Sequence, residues 1–379
     1  MVRNRAEMIS RFDDILYKNY NRYKKEKKNE TNLLKSYIIE NHLHHCETPT
    51  YDAITNFLQN TFKREEKLSL KLKETEDEQL FIIDSNKGQL YLDVSNKRFW
   101  VMHSTIKAKY SDQVHKLLLK QKNMDNVWLP ISFLYGLEKF GEIYGMGVSF
   151  TEYLKKDELD DFLFPNQNTL NLGIRRLYVK KMLKLLQESD LKEVIGINKI
   201  TLLEKSVENN DSFIVDDITY YGKITGRGTS FSKHHSIVQK ILMSYNSKIK
   251  NLEDYYSYSF YPENHQLKGR PIDIHLKRSD IDLTKLVDTM FSGKKPYYLW
   301  GIPDWRNENY CRINAVDLHA GNYGKNLEFE IMPHLIRVLL PKGSCGNTIA
   351  RLITNIHQSI DATSYLLGEN LEHDFFTII

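Results

Sequence analysis

Apolar positions in the first ~65 residues recur at helical spacing. Met8, Phe12, Ile15 and Leu16 fall on one face, Leu33, Leu34, Tyr37 and Ile38 repeat the pattern, and Ile54, Phe57 and Leu58 do so again after Pro49. Residues three and four apart share a helix face, so this stretch is expected to be helical. The charge run Lys24-Lys25-Glu26-Lys27-Lys28 reads as a solvated connection between the first two helices.

The period then changes to two. Leu68, Leu70 and Leu72 alternate with polar residues, and Leu80–Ile83, Leu90–Leu92 and Phe99–Met102 follow. Asn86-Lys87-Gly88 and Ser95-Asn96-Lys97 supply turns between them. Alternation broken by such turns predicts a four-strand antiparallel meander. Helices are expected near Ser111-Asp112 and after Pro130, and a strand punctuated by Gly141, Gly145 and Gly147 ends at Phe150.

The acidic, then Pro- and Asn-bearing stretch 155–170 reads as a boundary or exposed connection. Beyond it come a basic helix around Arg175–Gln187 and strands near Val194–Leu203 and Phe213–Tyr221. The apolar stripe Ile237, Val238, Ile241, Leu242, Tyr245, Ile249 and Leu252 gives the clearest helix, and a tyrosine-rich stretch from 255 to 261 follows it. Strands at Cys311–Leu318, Leu327–Ile331 and Leu335–Leu340 and a final helix from Asn347 complete the reading. The expected fold class is α+β: a helical N-terminal region (1–66), a domain built on the antiparallel β-meander (67–160), and a larger mixed α/β C-terminal region (161–379).

Composition narrows the class of protein. At 379 residues the chain exceeds one ordinary core, and 41% apolar residues suffice to bury more than one. No run approaches the ~18–20 apolar residues of a membrane span. The charged start, Met1-Val2-Arg3-Asn4-Arg5, does not resemble a secretory signal. Cys46, Cys311 and Cys345 are few, odd in number and far apart, which points to a reducing cytoplasm. The net charge of +4 permits an acidic partner without demanding one, and 23 tyrosines offer flat surface for stacking or interfaces. The Lys, Asn, Tyr and Ile usage suggests an AT-rich bacterial source.

Four clusters carry candidate chemistry. Pro341-Lys342-Gly343-Ser344-Cys345-Gly346-Asn347 joins a strand to a helix, so its backbone amides, with Lys342 and Arg351, would suit an anion. It lacks the Walker A order. Gly222–Ser230 with Lys223 and Arg227, followed by Lys233, His234 and His235, is dense in donors and free of Asp and Glu, which suits a polyanion. Asp317 and His319 share one strand face, Glu328 and Glu330 share another, and a hairpin could bring them to a metal. His42, His44, His45 and Cys46 are zinc-type residues without ligand spacing. The pairs Arg98-Phe99-Trp100 and Trp300 to Trp305-Arg306 suit cation–π packing or base stacking.

These features are expected to make a cytoplasmic accessory component of a bacterial multi-protein system, with anti-phage defence as one such context, that binds nucleic acid or a nucleotide polyanion and meets other protein subunits. The alternatives are a metal-dependent phosphate-ester hydrolase using Asp317, His319 and Glu330, and a protein-interaction scaffold. No motif names a cofactor.

Overall fold

A computed structural model describes residues 2–27, 33–42, 50–63, 65–154, 169–176, 178–206, 211–260, 267–367 and 373–378. The acidic stretch at 155–168, the residues His44, His45 and Cys46, and Tyr261 lie outside the described residues. Elements run in chain order as α1 (Arg5–Glu26), β1 (Leu34–Asn41), α2 (Tyr51–Phe62), β2 (Lys71–Lys73), β3 (Leu80–Ser85), β4 (Gly88–Asp93), β5 (Phe99–Ser104) and α3 (Ala108–Leu119). Next come β6 (Met124–Asn126), α4 (Ile131–Gly136), β7 (Glu142–Thr151), β8 (Thr169–Arg175), α5 (Val179–Glu188), β9 (Ile197–Lys205), β10 (Phe213–Thr219), β11 (Lys223–Gly228) and α6 (Phe231–Asn251). The remainder is β12 (Ser259–Phe260), β13 (Leu267–Lys268), β14 (Ile272–His275), α7 (Leu283–Phe291), β15 (Leu299–Asn307), β16 (Tyr310–Asp317), β17 (Asn326–Met332), β18 (Leu335–Leu339), α8 (Asn347–Ser359) and β19 (Tyr365–Leu366).

The fold is α+β with antiparallel sheets. Contacts divide it into two units that are not consecutive in sequence. The first comprises Met1–Val127, Phe140–Glu142 and Thr201–Met243; the second comprises Trp128–Lys139, Ile143–Ile200 and Ser244–Ile379.

In the first unit the strand order is β2-β3-β4-β5-β1-β11-β10, with β6 also on β1. The meander expected from alternation is present, with the tight turn Asn86-Lys87 joining Ser85 to Gly88. The stretch around Leu34–Ile38 is a strand, not a second helix. β1 lies between β5 and β11, with Ser36 opposite both His103 and Ile224, and every residue of it is buried. On one side of the sheet Tyr37, Ile39, Trp100 and Met102 join Leu58 of α2 and Val114 and Leu118 of α3 in the core. Burying one such large side chain contributes about 1.5–3 kcal/mol. On the opposite side Phe12 of α1 stacks on Phe231 of α6 at 4.7 Å and meets the His103 ring edge-on at 6.2 Å.

In the second unit β7 pairs with β8, and a separate sheet has the order β15-β16-β17-β18-β14-β19. The inward face of that sheet carries Ile313, Ala315, Leu327, Phe329, Ile331, Ile336 and Val338, all buried. Phe291 of α7 meets Phe329 edge-on at 4.9 Å, and α8 is buried along almost its whole length. The helix expected from Arg175 begins at Val179, because Thr169–Arg175 is taken into β8. Among the described residues no helix is long and apolar enough to cross a membrane.

Candidate functional site

The donor-rich segment 222–235 is strand β11 followed by the first turn of α6 rather than a loop. Its charges meet acids. Lys223 donates to Asp112 at 2.6 Å, Arg227 to Asp217 at 3.1 Å, and Lys233 lies 3.5 Å from Glu204. The first amides of α6 are also occupied, since the Asp13 carboxylate accepts from Phe231 N at 2.5 Å, from Ser232 N at 3.4 Å and from the Ser232 hydroxyl at 3.0 Å. An acidic cap there opposes a second anion. His234 is fully buried, and His235 is half-buried beside it.

The strand–helix connection at 341–348 does form, but its amides face protein groups. Gly346 N donates to the Glu253 carboxylate at 2.7 Å and Cys345 N to Asn322 Oδ1 at 3.3 Å. Ser344 and Asn347 are buried, and the Asn347 side chain accepts from the Tyr245 hydroxyl. Gly343, at φ +84°, makes the turn after the exposed Lys342. Arg351 is buried and donates to Asp317 at 2.7 Å. The anion cradle expected here is therefore replaced by a carboxylate–amide contact and a buried ion pair.

The expected metal set is dispersed. Asp317 accepts from Arg351, from Asn322 Nδ2 at 3.1 Å and from His319 N at 3.0 Å. Glu330 sits opposite Arg312 on β16, five residues before Asp317, or roughly 17 Å of strand at ~3.4 Å per residue. Glu330 accepts from the Tyr310 hydroxyl at 2.9 Å, while Glu328 faces Asn314. Asp317, His319 and Glu330 do not share an ion. His42 is buried, and its three candidate companions lie outside the described residues.

A polar relay that the sequence reading missed lies inside the first unit. Ser36 Oγ is 2.7 Å from His103 Nδ1 and 2.6 Å from His234 Nε2, and His234 Nδ1 is 2.7 Å from Asp216 Oδ1. All four residues are fully buried. Gly226, opposite Asp216, leaves the room: a Cβ there would stand 2.8 Å from Asp216 Oδ1 and 3.0 Å from His234 Nδ1. The order of atoms matches a serine–histidine–aspartate triad. Ser36 nevertheless sits mid-strand with both neighbours in register, so the two free backbone amides of an oxyanion hole are not found beside it. The relay ties β5, β1, β10 and α6 together.

Burial also sets the acid response. Desolvation holds His103, His319 and His357 below the ordinary histidine range and pushes His115 down to about 4. Folded pKa values below the unfolded ~6.5 mean that the unfolded chain binds more protons between the two. Stability is then complete above pH ~6.5 and falls as the pH drops toward 4, each histidine contributing at most about 1.4 kcal/mol per pH unit. Urea midpoints measured at pH 7.5, 6 and 5 should decline in that order, and a flat profile would contradict it.

The outer face of the second unit's sheet is different in kind. Edge strand β15 presents Trp300, Ile302, Asp304 and Arg306 to solvent on alternate positions. Trp300 is 51% and Ile302 74% exposed. With Arg312 and Asn314 of β16 and Glu328 and Glu330 of β17 they line an open groove of about 360 Å³. Across five strands Asp304, Arg312, Glu330, Arg337 and Asp273 stand in register as alternating charges. Arg337 clasps Asp273 at 2.8 and 3.0 Å, and Arg306 reaches Asp304 at 2.7 Å.

The model of the MJECL33-like protein family matches residues 1–375. The chain is also similar to the uncharacterized protein MJECL33 of Methanocaldococcus jannaschii, with 27% identity over 378 positions that span 89% of this chain and 86% of the relative. A match of that extent includes both units, and the chain belongs to the MJECL33-like protein family.

Proposed function

We propose that this protein binds single-stranded nucleic acid on the open outer face of its C-terminal sheet, as a recognition component of a larger assembly. The observation that carries this reading is the exposure of Trp300 and Ile302 side by side along the 360 Å³ groove, with Arg306 and Arg312 on its walls. An antiparallel face bearing an aromatic ring and arginines stacks bases and tracks a backbone. The Asp304–Arg306 pair is 56% exposed at both ends, so it is worth at most about 1 kcal/mol and yields readily to a phosphate. Glu328 supplies an acceptor for base amino groups. Pro303 within β15 disfavours addition of a partner strand at the edge, which leaves the face as the docking surface.

Trp300→Ala should weaken binding of a labelled single-stranded 12-mer by about 5–150-fold, the equivalent of ~1–3 kcal/mol per stacked base. Fluorescence anisotropy at two salt concentrations measures it. Failure of the native protein to bind, or equal affinity in the variant, removes the proposal.

A further inference from the structure

A second cavity, in the first unit, carries cations only, where the groove of the second unit mixes both signs. It measures about 240 Å³ and is lined by Arg11, Phe12 and Ile15 of α1, Lys87, Gly88, Gln89 and Tyr91 of the β3–β4 hairpin, and Thr105 and Ile106 after β5. No carboxylate is among these residues. Arg11 lies over the Tyr91 ring at 5.9 Å and Lys87 over the Tyr110 ring at 5.5 Å. Neither cation has a carboxylate partner among the described residues. That sets them apart from Lys223, Arg227 and Lys233, each of which meets an acid.

The walls are built rather than incidental. Tyr91 donates to Gln89 Oε1 at 3.2 Å, and Gln89 Nε2 donates to Asp84 at 3.3 Å. Asp84 is the acid that reaches this lining, and Lys73 neutralises it at 2.7 Å. Gly88, at φ +124°, lets the hairpin close over Ile106, whose Cγ2 would stand 2.8 Å from a Cβ at that position. The floor is apolar, from Phe12, Ile15 and Ile106.

We propose that this cavity is a binding site for a small phosphomonoester, with Arg11 and Lys87 as the paired cations and Thr105 as a hydroxyl donor. Two cations on separate elements, a hydroxyl and no acid in the lining match a dianion with three acceptor oxygens. The volume lies below the ~300–1,000 Å³ of pockets for drug-sized ligands, which favours a phosphate carrying a short chain over a whole nucleotide. The apolar floor suits the carbon part of such an ester.

Calorimetry on the full chain with inorganic phosphate, glycerol 3-phosphate and dimethyl phosphate tests this. Phosphate and glycerol 3-phosphate should saturate the site, and dimethyl phosphate, a monoanion like the nucleic-acid backbone, should bind at least ten-fold more weakly. Lys87→Gln, in an exposed turn, and Arg11→Gln should each cost about ten-fold for glycerol 3-phosphate. Arg22→Gln, which alters net charge equally on the same helix, should leave affinity unchanged. Absence of saturable binding, parity of dimethyl phosphate with the monoesters, or equal weakening by Lys87→Gln and Arg22→Gln would each overturn the proposal.

Discussion

Replacing His234 with alanine is expected to lower the thermal midpoint of the protein by roughly 6–20 °C. The ring joins two buried partners, Ser36 and Asp216, and its removal strands the Asp216 carboxylate where no water reaches it. Taking the hydrogen-bond partner from a buried carboxylate and leaving it uncompensated costs about 3–5 kcal/mol. At ~2–4 °C per kcal/mol for a unit of this size, that cost sets the shift. The double variant His234→Ala with Asp216→Ala should recover part of the loss, since the orphaned charge is gone. Circular dichroism melts of the native protein, the two single variants and the double variant decide the matter. A shift under 2 °C, or a double variant as damaged as the sum of its parts, would show that the relay does not couple these residues.

Arg351→Met should be comparably severe in the second unit. Asp317 is fully buried and Arg351 is 2% exposed, so their contact at 2.7 Å lies in a medium of low dielectric. The remaining partners of Asp317, Asn322 and the His319 amide, cannot balance its charge. A loss of about 3–5 kcal/mol is expected, with partial rescue by adding Asp317→Asn. The Arg337–Asp273 pair offers an internal contrast. It has better two-pronged geometry, but both side chains are about one-third exposed. Removing Arg337 should cost no more than ~1 kcal/mol. Chemical denaturation would separate the two cases, and equal effects would mean that burial is not what governs these ion pairs.

What the sequence made legible was whatever depends on neighbours in the chain. The meander at 67–104 announced itself through alternation and turns because its strands pair with the next strand along. The long helix near Ile237 showed its stripe for the same reason. β1 misled because both of its faces are buried, which removes the alternation that marks a half-exposed strand. Much of its polar content is satisfied from afar: Ser36 by two histidines, Glu40 by Arg98, and Lys35 by the Ile106 carbonyl as well as the nearby Leu33 carbonyl.

The candidate sites were misjudged by the same blindness to distance. Counting donors at 222–235 could not anticipate Asp13, Asp112 or Glu204, which come from other parts of the chain. Asp317, His319 and Glu330 alternate correctly on paper, yet the register slides the two strands until they are far apart. Trp300 and Arg306 were visible as residue types, but only the position of β15 at the sheet edge reveals that they share an open face. Arg11 and Lys87 gave no signal, being 76 residues apart in the sequence.

The placement of β1 has a consequence for synthesis on the ribosome. One side of this strand is covered by β5 as soon as residue 104 has emerged, whereas the other waits for β11 at Lys223–Gly228. At about 5–20 residues per second, the gap of 119 residues between Ser104 and Lys223 corresponds to roughly 6–24 s. β6 covers Ile39–Asn41 from residue 126 onward, but until β11 is made the Leu34–Tyr37 half of that edge keeps unpaired backbone groups, a template for pairing with another copy. Asp13 likewise waits for Phe231 before it can cap α6. A chain interrupted between residues 127 and 223 would hold that edge open permanently, so truncation there leads to aggregation, and holding chaperones have most to do while this segment is being made.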